Sequence, residues 1–247
     1  MNKVNSSILH SIGNTSVSKK SKKFRTPIKE RSLPFYTRGE ELMNTISHTV
    51  GAAFGIAALV LCVVFTAISG NVWGTVAGAV YGASLVILYT MSSVYHGLPS
   101  GFAKKVMQVL DHCTIYFLIA GSYTPVTLCA IRTVDAKVGW TLFGVVWGLA
   151  IIAATLTAID LKKFKVFSMI CYIGMGWSVV FTIKALMEAV STTGLLYLLA
   201  GGISYSVGAI LYGLGKKHRY MHSIFHLFVV AGSVLQFICI FFHILLK

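Results

Sequence analysis

The chain has 247 residues, of which 56% are hydrophobic and only 11% are charged, and its formal net charge is +14. This composition excludes an ordinary water-soluble domain, which needs a larger charged surface. The positive charge lies in an N-terminal tail and in short loops between apolar stretches, so it favours anionic lipid headgroups over nucleic acid as the partner.

The first 38 residues are rich in Ser, Asn, Lys and Arg and contain no apolar run of the kind that forms a secretory signal. Such a composition cannot bury a core, so we interpret residues 1–38 as a basic, disordered cytoplasmic tail. We expect residues 39–247 to form the membrane domain.

Seven apolar stretches follow, each long enough to cross a hydrocarbon layer of about 30 Å. Backbone groups inside a bilayer must be hydrogen-bonded within the protein, and the stretches lack the alternation of barrel strands, so an all-α, seven-helix bundle is predicted. The predicted spans are Leu42–Ile68, Val72–Leu98, Val106–Ile131, Val138–Ile159, Val166–Met187, Thr193–Leu214 and Tyr220–Leu246.

Basic residues on the connecting segments predict the orientation of the bundle. Seventeen Lys or Arg residues lie on the side of the N-terminal tail, and four lie on the opposite side. The positive-inside rule therefore places the N-terminus in the cytoplasm and the C-terminus outside. The sequence leaves the oligomeric state open.

Within the spans, several residue types indicate how the helices pack. Pro125 lies inside the third span and should kink it. The five cysteines form no close pairs, so we interpret them as small apolar core residues. Glycines spaced by four residues predict close approach of neighbouring helices. These glycines are Gly51 and Gly55, then Gly74, Gly78 and Gly82, and finally Gly144 and Gly148.

Ionisable residues gather at one end of the predicted bundle. His96 ends the second span, Asp111 lies near the start of the third, and His222 and His226 lie one turn apart at the start of the seventh. With a rise of about 1.5 Å per residue, all four fall within roughly 10 Å of the cytoplasmic boundary. Ionisable groups in lipid are costly and mark functional sites, so we expect these residues to meet.

Three neutral imidazoles with a fourth position left for water are typical of catalytic zinc. We therefore predict that His96, His222 and His226 bind Zn²⁺, although histidines one turn apart can also be hydrogen-bonded core residues. Asp111 would orient or deprotonate the water, or else hold a ligand imidazole. Ser92, one turn before His96, would support the site or bond to its own helix.

Other polar residues lie near this cluster. His112 should face a neighbouring helix, His218 is predicted to lie at the interface, and His243 belongs to the opposite end of the seventh span. Three residues at the start of the first span either cap that helix and close the site or form a plain solvated turn: Glu41, Asn44 and His48.

Four segments together resemble the hemolysin III family, within the progestin and adipoQ receptor (PAQR) superfamily. They are EELMNTISH at 40–48, SSVYH at 92–96, DHCTIYFLIAGSYTP at 111–125 and HSIFH at 222–226. The resemblance extends over residues 40–246. It implies a zinc ion bound by His96, His222 and His226, Asp111 close to the bound water, and a multi-pass protein of the bacterial inner membrane.

The resemblance implies more than one function. Related receptors and alkaline ceramidases imply hydrolysis of a lipid amide, some members are linked to membrane-lipid homeostasis, and the family name implies a pore-forming cytolysin. A lipid-sensing receptor with a structural zinc is a third interpretation. A pore needs polar lining from one face to the other, which the outer halves of these spans lack. We therefore favour a zinc-dependent hydrolase of a membrane lipid amide or ester.

Overall fold

The computed structural model describes residues 25–214 and 218–247, and this part of the chain contains seven helices long and apolar enough to cross a membrane. The all-α, seven-helix prediction is confirmed. The predicted tail falls partly on residues 1–24, which lie outside the described residues. The helices are α1 (Arg38–Ile68), α2 (Val72–Gly97), α3 (Phe102–Val134), α4 (Ala136–Ile159), α5 (Lys165–Ala189), α6 (Thr192–Leu214) and α7 (Met221–Leu245).

The first helix begins four residues earlier than the apolar pattern predicts, because polar residues cap it. The Thr37 hydroxyl accepts a hydrogen bond from the Glu40 amide, and the Glu40 carboxylate accepts one from the Thr37 amide at 2.8 Å. The same carboxylate accepts the Tyr220 amide at 2.8 Å, where the backbone has a positive φ of 63° just before α7. Glu40 therefore ties the starts of α1 and α7 together. We call this end of the bundle the N-terminal face.

Glycines hold α1 and α2 in close contact. A Cβ atom added to Gly51 would lie 2.6 Å from the Tyr89 ring, and one added to Gly82 would overlap the Leu59 backbone. Gly55 and Gly78 are similarly crowded. The packing predicted for these positions is confirmed. For Gly144 and Gly148 in α4 the prediction is wrong, because nothing lies within 4 Å of an added Cβ atom at either position.

The central helix, α3, is the most buried of the seven. Its α-helical hydrogen bonding ends at Pro125 and continues as a π-helical segment, Val126–Ile131. Proline lacks an amide hydrogen and crowds the preceding turn, so the interruption occurs where the sequence predicts a kink. The cysteines are all free, and Cys62, Cys113 and Cys239 are buried, in agreement with a core role.

The glycine packing predicts opposite outcomes for two matched substitutions. Gly82→Ala should lower the free energy of unfolding by about 1–3 kcal/mol, because the new methyl group would force α1 and α2 apart. Gly148→Ala should be neutral or slightly stabilising, because the site is open and alanine favours a helix. Thermal unfolding of the purified variants in detergent measures both. Equal melting temperatures for the two variants would contradict this packing.

Candidate metal centre

Three imidazoles from two helices converge at the N-terminal face. The Nε2 atom of His222 lies 3.1 Å from Nε2 of His96 and 3.1 Å from Nε2 of His226. Ligand atoms of all three residues lie within 4.8 Å of one another. Nitrogens that share one ion are roughly 3 Å apart, because each metal–nitrogen bond is about 2 Å long. The group could therefore hold a metal ion, and the predicted convergence of these histidines is confirmed.

The ring of His96 is oriented by the first helix. Its Nδ1 atom donates a hydrogen bond to Oε2 of Glu41 at 2.7 Å. The side-chain nitrogen of Asn44 also lies near Nδ1 of His96, at the longer distance of 3.3 Å. The side-chain oxygen of Asn44 points away from His96 to accept a hydrogen bond from the Ser223 hydroxyl at 2.6 Å. The shorter contact assigns the proton to Nδ1. The Nε2 lone pair of His96 then faces the other two histidines and is free to bind a metal.

A buried lysine completes this arrangement. Nζ of Lys104 lies 2.8 Å from Oε1 of Glu41 and donates to the backbone carbonyls of His96 and Leu98. Lys104 is only 3% exposed. An ammonium ion in this position must be paired, and Glu41 pairs with it while its other oxygen accepts the hydrogen bond from His96. Glu41 thereby links the ends of α1, α2 and α3.

The other two histidines are held largely by aromatic stacking. The ring of His48 lies 3.6 Å from that of His226 and is nearly parallel to it, and the Ser47 hydroxyl lies 3.4 Å from Nδ1 of His226. Tyr36, just before α1, stacks on His222 at 5.1 Å. Neither nitrogen of His48, nor Nδ1 of His222, has a hydrogen-bond partner among the described residues.

Three polar residues at the start of α1 contact the histidines and do not cap the helix. Glu41, Asn44 and His48 were expected either to cap the helix and close the site or to form a solvated turn. The cap is made instead by Thr37 and Glu40. Asn44 and His48 are buried, and Glu41 is partly buried. All three contact the histidines because they lie on one face of α1 at a spacing of about one turn.

Asp111 and Ser92 lie beside the histidines, and both are buried. Ser92 and Asp111 both line the cavity beside His222 and His226. Nδ1 of His112 lies 3.5 Å from Oδ2 of Asp111. His112 donates its Nδ1 hydrogen to the Gln108 carbonyl, so its contact with Asp111 is secondary. Nδ1 of His96 is held by Glu41, so the described hydrogen bonds do not use Asp111 to orient that ring.

A cavity of about 520 Å³ extends from the histidines into the bundle. On α7 its lining runs from His222 to Gln236, a distance of about 21 Å along the helix. This length is more than half of a hydrocarbon core about 30 Å thick. Most of the lining is apolar and comes from α3, α5, α6 and α7, whereas Asp111 and Ser92 lie at the histidine end.

The other histidines singled out in the sequence lie outside the three-histidine group. His112 is outside the three-histidine group but lines the cavity, and Tyr172 of α5 donates to its carbonyl at 2.9 Å. His218 is exposed and also outside the group. His243 lies at the far end of α7, bonded to Ser191. Lys104 and Tyr36 were not anticipated, because a lone lysine and a lone tyrosine carry no spacing signal.

Similar proteins identify the family of this chain. The haemolysin-III related family matches residues 36–237 of the chain. This chain belongs to the haemolysin-III related family. It is 40% identical to "Hemolysin-3" of Bacillus cereus over 206 residues, which is 83% of this chain and 92% of that protein.

More distant relatives extend the family. The chain is 36% identical to the "Hemolysin-3 homolog" of Bacillus subtilis (strain 168) over 208 residues, 84% of this chain and 96% of the homolog. It is 25% identical to the human "Monocyte to macrophage differentiation factor" over 224 residues, 87% of this chain and 88% of that protein. The haemolysin-III related family and its distant PAQR-type relatives confirm the resemblance in the sequence motifs.

The metal content of purified variants should distinguish the metal-binding histidines from neighbouring residues that do not bind the ion. His96→Ala and His222→Ala should each lose most of the bound metal, because two imidazoles hold an ion far more weakly than three. Asp111→Ala should keep most of it, since Asp111 lies outside the ligand group. Elemental analysis of the purified proteins measures this, with exposed His218→Ala as the control. Full metal content in His96→Ala would contradict the assignment.

Glu41 and Lys104 should tune metal affinity without binding the ion. Glu41→Gln weakens the acceptor for His96, and Lys104→Met leaves Glu41 without its counter-charge, so each should weaken metal binding by about 10- to 100-fold. Titration against a competing chelator measures the affinity. Glu188→Gln, an exposed glutamate in α5, serves as the control. An unchanged affinity in both variants would exclude this role.

Proposed function

We propose that this protein is a zinc-dependent hydrolase that cleaves an amide or ester of a membrane lipid and serves membrane-lipid homeostasis. The observation that carries the proposal is the continuity between the three-histidine group and a long apolar cavity. A water-soluble substrate would not need such a cavity, whereas a lipid chain is best accommodated by one.

The ligand set favours zinc among the common cations. Three imidazoles without a thiolate suit Zn²⁺ at a catalytic site with an open position. Cys113, the cysteine nearest to this region, directs its sulfur to the Ala154 carbonyl. A bound zinc ion would supply Lewis-acid activation of the substrate carbonyl and of water.

The surrounding residues then have distinct roles. Asp111 takes the proton from the attacking water and passes it to the leaving amine or alcohol as the C–N or C–O bond breaks. Ser92 is buried, lines the cavity with Asp111 and supports its carboxylate. Glu41 and Lys104 hold the His96 ring, and the apolar cavity binds the lipid chain and excludes water from the site.

The substrate is proposed to enter sideways between α5 and α6. The cavity lining includes residues on the facing sides of both helices, and the Trp177 indole donates to the Ser206 hydroxyl across this boundary at 3.0 Å. The orientation predicted from the basic loops places the site near the cytoplasmic leaflet. A lipid of that leaflet would reach the site without leaving the membrane.

A pore-forming cytolysin is the second candidate, favoured by the name "Hemolysin-3" of the Bacillus cereus relative. In a single chain, the path beyond Gln236 is filled by packed apolar side chains of α7: Ile240, Phe241, Ile244 and Leu245 are buried. Leakage of a dye from liposomes that contain the purified protein, unaffected by metal removal, would favour the cytolysin over the hydrolase.

Asp111→Asn tests the hydrolase directly. It should lower lipid hydrolysis by about 10²- to 10⁴-fold, because the amide cannot accept the proton, while metal content and melting temperature stay close to those of the wild type. Release of fatty acid from ceramide and from phospholipid in proteoliposomes measures the rate. His218→Gln is the control. Wild-type protein with stoichiometric zinc that cleaves no lipid amide or ester would exclude the proposal.

A further inference from the structure

A segment that precedes the family match forms part of the cavity wall. Residues 26–36, which we call the N-terminal strap, include a short 3₁₀ turn at Ile28–Glu30. Six strap residues line the cavity: Thr26, Glu30, Arg31, Ser32, Leu33 and Pro34. The family match starts at residue 36, so nearly all of the strap is outside it.

Specific hydrogen bonds fix the strap to the loop between α4 and α5 and to α3. The Thr26 amide donates to Oδ2 of Asp160 at 2.8 Å, and Lys105 donates to the Lys29 carbonyl at 2.7 Å. Burial raises the pKa of Asp160, but hydrogen bonds from the backbone amides of Thr26 and Lys163 outweigh it and lower the pKa to about 2. Asp160 is therefore ionised near neutral pH, and its carboxylate accepts the Thr26 hydrogen bond under these conditions.

Arg31 uses only part of its guanidinium group in this attachment. Its Nε atom donates to the Thr26 carbonyl at 3.1 Å, and Nη2 donates to the Ile159 carbonyl at 2.6 Å. Its Nη1 atom is buried and has no hydrogen-bond partner among the described residues. Arg31 is only 9% exposed, and it lines the cavity. A buried charged donor without an acceptor is costly.

The nearby carboxylate of Asp160 does not satisfy this donor. Oδ2 accepts the Thr26 amide, and Oδ1 accepts the amides of Lys162 and Lys163. The charged groups that line this end of the cavity are Arg31, Lys162, Lys165, Glu30 and Asp160. Guanidinium groups match the oxygens of carboxylates and phosphates in both charge and geometry.

We propose that Arg31 binds the anionic headgroup of a lipid whose acyl chain occupies the cavity. The shared chemistry is a carboxylate or phosphate oxygen on an acyl chain, which accepts the Nη1 hydrogens. The inference deepens the proposed function, because it makes an anionic lipid or a fatty-acid product the occupant of the same cavity. It concerns binding alone, so it can be tested without hydrolysis.

Three single-chain probes that lack an amide or ester bond test this site: oleate, oleyl phosphate and neutral oleyl alcohol. Binding to the purified, metal-loaded full chain is measured by native mass spectrometry in detergent, with inorganic phosphate as a chain-free competitor. Arg31→Met should weaken binding of oleate or oleyl phosphate by about tenfold or more and leave oleyl alcohol unchanged. Arg31→Lys should fall between, and exposed Arg38→Met should match the wild type.

The pattern of losses separates headgroup binding from a purely structural clamp. If Arg31→Met weakens the anionic and neutral probes equally, Arg31 only fixes the strap and the proposal is wrong. Unchanged binding of all three probes overturns it as well. Inorganic phosphate that displaces the anionic probes at similar concentration would identify a soluble anion, not a lipid, as the occupant. Lipid hydrolysis by the wild-type protein tests the proposed activity separately, so a failure of the hydrolase and a failure of headgroup binding can be told apart.

Discussion

The paired carboxylate of Glu41 is the interaction on which the N-terminal face depends. In an apolar bundle a charged group is stable only when its partners are supplied by the protein. Glu41 contacts Lys104 of α3 and His96 of α2, so one side chain of α1 neutralises a buried ammonium and selects the tautomer of a candidate metal ligand. Without this pairing, the ends of three helices would carry uncompensated polar groups, and the imidazoles would lose their common orientation.

The same constraint explains why the site lies where it does. Helix ends at the membrane boundary can bring polar residues from distant parts of the sequence to one depth, while the rest of each helix remains apolar. The histidines lie at such ends, and the cavity continues from them between the apolar helices. The chain belongs to the haemolysin-III related family, but its relatives carry different names, so the site and not the family determines the function.

The N-terminal strap adds a feature that the family match does not include. It forms part of the cavity wall and brings a partly unpaired guanidinium group to the same space as the histidines and Asp111. An apolar cavity with a cationic donor and three histidines that could hold a metal ion suits a ligand with a polar head and a long tail. In the proposed function, the strap would select the lipid and the histidine centre would act on it.

The sequence by itself determined the seven helices and the end of the bundle at which the histidines meet, because apolar length and the hydrogen-bonding needs of the backbone in lipid fix a spanning helix locally. It could not fix the rotation of helices that are hydrophobic on most sides. For this reason Gly144 and Gly148 were misjudged, and the roles of Lys104, Tyr36 and Arg31 appeared only in the folded chain. Which side chains face one another depends on contacts between segments far apart in sequence, and only the tertiary structure decided those.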